Sequence, residues 1–182
     1  EERECELDFQ GVFRISPSGE VSCVANDYGQ PNGLNFSPDE SLLYINDTPR
    51  AHIRVYNVNA DGSLSNGRIF AENIGEGGLE TGVVDGMKCD IDGNIYVAGG
   101  RPPQGHDFAV YDPKADKWTS LPNLPTARNH MAAAAIGGKL YVAGGRFGGG
   151  FRSEITAALE MYDPDSNQWI AKRAMAEARR GL

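Results

Sequence analysis

The chain has 182 residues, with 17 Lys+Arg against 25 Asp+Glu, a net charge of −8, and 40% hydrophobic residues. That length is enough for one or two domains with a real core. The acidity, without any basic run or aromatic-basic interleaving, excludes nucleic acid and anionic membrane surfaces as partners, because both require clustered positive charge. No apolar stretch approaches the ~20 residues of a membrane-spanning helix.

The opening EERECELDFQ is charged and has no apolar segment, so no signal peptide is expected and a cytoplasmic location is. The chain does not begin with Met, which leaves a start inside a longer protein open. Cys5, Cys23 and Cys89 are odd in number and widely spaced, so they predict small, partly buried apolar groups rather than a disulfide framework. GVFRISPSGEVSCVAND (11–27) reads as a hairpin turning at Ser18-Gly19. Residues 31–74 read as four strands, with turns at Pro38-Asp39 and Asp61-Gly62. Residues 83–122 read as four more, and 129–174 as another four, turning at Asp92-Gly93 and Gly137-Gly138. The most helix-like stretch, 171–180, is assigned instead to a repeat strand, because it aligns with an earlier segment.

The alignment is internal. YDPKADKWTSLPNLPTARNH begins at Tyr111 and YDPDSNQWIAKRAMAEARRG at Tyr162, so Tyr, Asp, Pro, Trp, Ala and Arg recur at an offset of 51. Gly99-Gly100 and Gly144-Gly145 recur at an offset of 45, and a longer loop, GRFGGGFRSEITAA (145–158), takes up the difference. A period near 45 residues is the length of one four-stranded propeller blade, and blades must stack because none buries both of its faces alone. The fold class read from the sequence is therefore all-β, a partial β-propeller of about three and a half four-stranded blades. Its outer strands at both ends are left open, which predicts further strands from elsewhere or a homodimer through the blade edges.

The second part resembles the Kelch repeat family over residues 94–182. The resemblance rests on the small and apolar run His130–Ile136, on GGKLYV and its Gly pair, on the Tyr-Asp-Pro turn, and on a Trp six residues after the Asp. It implies that these residues build blades and that loops contact a partner. The first part is similar to the senescence-marker-protein/gluconolactonase family, six-bladed propellers, over residues 11–98. PNGLNFSPD, LLYINDT, DGSLSNGRIF and DGM…DIDGNIYVA stand in that family's order. The chain is thus expected to be a hybrid: 1–98 gluconolactonase-like, 99–182 Kelch-like, one continuous propeller with the crossover in the blade at 83–122.

The gluconolactonase resemblance implies a divalent cation in the central channel, Ca²⁺ first, with a lactone as substrate. Asn32 matches the family's Asn ligand, and Asp85 matches its Asp ligand and general base. Oxygen donors of this kind suit a hard cation, which polarises the carbonyl and acidifies the attacking water. The family's Glu ligand and its substrate-contacting Arg and Asn have no counterpart here, so an incomplete site is expected. Other candidates are set aside. Asp90, Asp92 and Asn94 read as a hairpin turn, because Arg101 stands where a calcium loop needs its bidentate carboxylate. His52, His106 and His130 lack ligand spacing, and GRFGGG lacks the strand-then-helix setting of a phosphate loop. The expected function is that of a propeller fragment or chimera related to metal-dependent sugar-lactone hydrolases. The alternatives are a non-catalytic scaffold binding a protein or glycan through its loops, and a recombinant chimera without evolved function.

Overall fold

The computed structural model describes residues 6–72, 74, 86–100, 108–147 and 154–180. Asp85, Cys5, Arg101 and His106, all weighed above, lie outside them, as do residues 148–153 of the Gly-rich loop. Every element described is a β-strand, sixteen in all among these residues. They form a partial β-propeller.

The first hairpin pairs β1 (Gln10–Ile15) with β2 (Val21–Tyr28). The first full blade follows as β3 (Pro31–Phe36), β4 (Leu42–Asp47), β5 (His52–Val58) and β6 (Leu64–Ala71), adjacent in sequence order. The second is β7 (Met87–Cys89), β8 (Ile95–Ala98), β9 (Phe108–Asp112) and β10 (Lys117–Ser120). The third contains β11 (Ala132–Ile136), β12 (Lys139–Ala143), β15 (Leu159–Asp163) and β16 (Gln168–Ala171). Each blade is an antiparallel meander, as the tight turns between short apolar runs dictate. At the β11–β12 turn Ile136 pairs with Lys139 across Gly137 and Gly138, whose φ angles of 58° and 74° match the twist of the strands they join.

Two segments depart from the sequence reading. Within the Gly-rich loop, β13 (Arg146–Phe147) pairs with β14 (Glu154–Ile155) as a small ribbon. Beyond β16, residues 172–180 form neither a helix nor the predicted strand. Their amides bond to carbonyls of the preceding blade connection instead: Lys172 to Leu159, Met175 to Ala157 and Arg179 to Thr156. Helix formation would require those amides to bond within their own segment.

Three apolar clusters mark three joints. Tyr28 of the hairpin packs with Leu43, Ile45 and Tyr56 of the first blade. Tyr44, Ile53 and Val55 of that blade meet Met87, Ile95 and Tyr111 of the second. Phe108 and Leu124 meet Leu140, Val142 and Tyr162 of the third. The repeated aromatics lie in these joints: Trp118 against Tyr111, and Trp169 against both Phe108 and Tyr162. Trp169 also donates its indole N–H to the Pro122 carbonyl across the third joint, at 2.7 Å. The Gly pair has its expected role. A side chain at Gly144 would meet the Arg179 carbonyl oxygen at 2.5 Å, and one at Gly145 the Asn129 carbonyl oxygen at 2.8 Å. The inner strands β3, β7 and β11 lie side by side and line the channel wall.

Candidate functional site

Asn32 sits at a bulge. Pro31 pairs with Asp47 and Leu34 with Ile45, so the register between β3 and β4 slips across Asn32-Gly33. Such a slip re-aims a side chain and leaves an amide to be satisfied. Here the Gly33 N–H donates to Asn46 Oδ1 at 2.7 Å. Asn32 Nδ2 donates to Thr48 Oγ1 at 3.4 Å, which sets the orientation of the carboxamide. Beneath them the fully buried Asp47 accepts the N–H groups of Gly29 and Gln30 at 2.8 and 2.9 Å, and Arg50 Nη1 at 3.0 Å. The Asn46-Asp47-Thr48 run at the end of β4 therefore fixes the chain that delivers Asn32.

A cavity of about 350 Å³ opens between the three inner strands. Asn32 and Gly33 line it from the first blade, Gly86 and Lys88 from the second, and His130 and Met131 from the third. Gly86 follows Asp85 in the sequence, and Asp85 itself is outside the described residues. His130 Nδ1 lies 2.7 Å from Asn129 Oδ1, which also accepts Arg146 Nε at 3.1 Å. The rest of the third blade's wall is apolar, with Met131, Ala132 and Ala133. A second cavity, about 500 Å³, lies at the opposite end of the same joint and shares Lys88, Tyr96 and Leu140 with the first.

The fit to a hard cation is poor. Ca²⁺ takes about six to eight oxygen ligands. Among the described residues no group of three or more His, Cys, Asp or Glu side chains could hold a metal. The polar side chains lining the channel cavity are the Asn32 carboxamide, the Tyr96 phenol, the His130 imidazole and the Lys88 ammonium, with no carboxylate among the described residues. Asp90 is committed elsewhere: its carboxylate accepts the amides of Asp92 and Asn94 at 2.9 Å and the Asn94 carboxamide at 2.9 Å, the hairpin turn read from the sequence. Burial, then the Asp90 charge, pushes the Cys89 thiol up to about 11, so it is no nucleophile at neutral pH.

Asn32, singled out in the sequence by its motif, lines the cavity. Sequence reasoning missed the buried Asp47 lock and the Arg128–Glu160 pair under the third blade, and it assigned His130 only to a strand. Arg128 is 0% exposed and donates Nη1 to Glu160 Oε2 at 2.6 Å and to the Thr126 carbonyl at 2.8 Å, while Thr126 Oγ1 donates to Glu160 Oε1 at 2.7 Å. The repetition of Ala-Arg at 127–128 and 178–179 was the one available signal for that Arg.

Comparison with known proteins bears on both halves. The family model for the SMP-30/Gluconolactonase/LRE-like region matches residues 1–143, and the Kelch motif matches residues 127–175. A gluconolactonase of Zymomonas mobilis is 37% identical over 98 residues, covering 51% of this chain and 27% of its own length. Human Kelch-like protein 34 is 32% identical over 117 residues, covering 57% of this chain and 18% of its own. Among solved structures, a gluconolactonase of Xanthomonas campestris superposes with a TM-score of 0.60 at 27% identity, over 79% of this chain and 44% of that one. The calcium-binding protein regucalcin of Agrobacterium tumefaciens shares the fold with a TM-score of 0.57 at 24% identity, over 75% of this chain and 45% of its own. This chain thus spans about a quarter of the curated gluconolactonase and under half of the solved propellers.

Proposed function

Because the chain belongs to the SMP-30/gluconolactonase/LRE-like family, we propose that it is a lactone-hydrolase-derived propeller segment. It keeps one wall of a channel site, and on its own that site is incomplete. Asn32 and Asp85 are the inherited ligand positions, Asp85 also being the general base, and the cation they were inherited to hold is Ca²⁺-like. The observation that carries this reading is the composition of the 350 Å³ cavity. One blade delivers Asn32 on a braced bulge, whereas the third blade faces it with Met131, Ala132 and Ala133 where a hard cation needs oxygen. The joining of two families in one propeller is read as recombination between blades, which nearest-neighbour packing tolerates.

Metal-dependent hydrolysis of γ- and δ-lactones, assayed with Ca²⁺, Mn²⁺ and Zn²⁺ on the wild type and on Asp85→Ala, tests this reading. The expected result is no turnover that the substitution removes. A saturable, metal-dependent rate abolished in Asp85→Ala would sink it. Completion of the ring by a second copy is part of the proposal. The hairpin leaves Ile15 at 71% and Val21 at 62% exposed, an apolar edge of the kind that seeks a strand or a partner. Sedimentation should show a dimer that Ile15→Lys disperses.

A second reading is favoured by the Kelch match and by the β13–β14 ribbon that the third blade carries on its inner connection. In it the chain is a scaffold whose loops recognise a protein or glycan partner, since loops on rigid frames commonly carry recognition. Loss of partner capture on shortening the 146–155 loop, with stability unchanged, would distinguish it from the first.

A further inference from the structure

We infer that this chain assembles head to tail with a second copy of itself, the open face of the β1–β2 hairpin in one copy packing against the far face of the third blade in the other. The inference rests on the proposal that a second copy completes the ring, and it adds which two surfaces meet.

Three observations carry it. The first is the face that the third blade turns away from its neighbour. Leu140, Val142 and Tyr162 point into the joint with the second blade. Strand residues alternate between faces, so the neighbouring row lies on the opposite side. That row is Ala134, Tyr141, Met161 and Ile170, paired directly across β11, β12, β15 and β16. Ile170 is exposed there, as is Ile136 two residues beyond Ala134.

The second observation is what the same surface does in the other blades. Tyr96 is the counterpart of Tyr141 in the repeated Tyr-Val-Ala-Gly-Gly string, and Tyr44 stands on the second strand of the first blade. Both Tyr44 and Tyr96 pack into the joint with the blade that follows. Tyr141 therefore belongs to a surface built as one half of a joint.

The third is the face at the other end. Val12 and Ala25 of the hairpin pack toward the first blade. Phe13, opposite Cys23, and Ile15, opposite Val21, turn the other way and are exposed. This is the side on which each later blade receives the one before it, with Met87, Ile95 and Tyr111 in the second and Leu140, Val142 and Tyr162 in the third. The two open faces are thus opposite halves of one kind of joint. Such halves make a heterologous contact, which closes into a ring or runs on as a filament. Length favours closure at two copies: the part of the Xanthomonas campestris gluconolactonase matched by this chain is 44% of that propeller.

The test is sedimentation of the intact 182-residue chain as wild type, Ile15→Lys, Ile170→Lys and an equal mixture of the two variants, with Ile69→Lys, exposed on the outer strand β6, as control. Circular dichroism should show the same strand content in all, because each substituted side chain is exposed. The wild type and Ile69→Lys should form a dimer. Ile15→Lys and Ile170→Lys should each weaken self-association at least tenfold. Their mixture should regain a 1:1 pair, because the unaltered hairpin of one variant meets the unaltered third blade of the other. A dimer dispersed by Ile15→Lys but not by Ile170→Lys pairs hairpin with hairpin, which overturns the inference and leaves a second copy as the cover of that edge. Two dispersed variants whose mixture stays dispersed also overturn it. A wild-type monomer at all concentrations overturns both the inference and the completion of the ring by a second copy. Polymers that lengthen with concentration keep the head-to-tail contact and overturn closure at two.

Discussion

The first and third blades hold their inner strands to the channel with buried polar groups, but by different chemistry. In the first blade Asp47 accepts two backbone amides and Arg50. The arrangement braces a bulge that carries Asn32 to the channel. In the third, Arg128 and Glu160 form a buried ion pair that spends its donors on the Thr126 and Val142 carbonyls, the latter at 3.3 Å. That pair stiffens the approach to β11, an alanine-rich strand. The lesson is that a blade can be locked in place without supplying a ligand. The lock belongs to the fold, whether the inner strand then carries a polar side chain to the cavity, as at Asn32, or apolar ones, as at Ala132 and Ala133.

The comparison breaks most sharply at Glu160. Glu160→Leu leaves the Arg128 charge buried without its partner, and unfolding by urea should show a loss of about 3–5 kcal/mol. A loss under about 1 kcal/mol would mean that the pair is not the lock it is described as. Asp47→Ala removes an anionic acceptor from two backbone amides, and a cost of about 2–3 kcal/mol is expected.

The joints between blades respond to pH in the alkaline range. Burial first, then the Asp90 charge for Tyr96 and the Asp116 hydrogen bond for Tyr111, pushes both phenols up to about 12. The folded state therefore keeps protons that the unfolded chain releases above its ordinary value near 10. The stability these groups contribute is fully present below about pH 10 and is lost as pH rises through about 12. Tyr96→Phe should flatten that limb of a pH–stability profile, and an unaltered profile would count against the assignment. At the acid end the Arg54 hydrogen bond holds the Asp27 carboxyl below its usual value, so its contribution is present above about pH 4 and lost as pH falls further.

The smallest effect concerns the repeat itself. The Tyr162 hydroxyl donates to Asn167 at 2.7 Å, and the Tyr111 hydroxyl donates to Asp116 at the equivalent turn. Both acceptors have positive φ, 53° and 50°. Tyr162→Phe and Tyr111→Phe should each cost about 1 kcal/mol in thermal unfolding. Unequal costs would show that the two turns are less alike than their sequences.

Much of this was legible before the structure. Turn pairs such as Gly137-Gly138 and the offset of Tyr111 and Tyr162 marked strands, blades and joints, because tight turns and inter-blade aromatics leave local traces in sequence. Asn32 was legible for the same reason, within Pro-Asn-Gly. The Asp47 lock, the Arg128–Glu160 pair and the sharing of one cavity by Asn32 and His130 were not. They join residues 17 to 98 positions apart, and only the stacking of blades brings them together. The path of residues 172–180 was misread because composition favours helix and alignment favours strand, while tertiary hydrogen bonds to Thr156, Ala157 and Leu159 decide against both.

The central claim, that the described residues of the channel supply too few oxygen donors for a hard cation, is tested most directly by calorimetric titration of the wild type with Ca²⁺. Binding no tighter than about 1 mM, the weak end for calcium modules, is the predicted result. A single site with micromolar affinity that Asn32→Leu abolishes would contradict it.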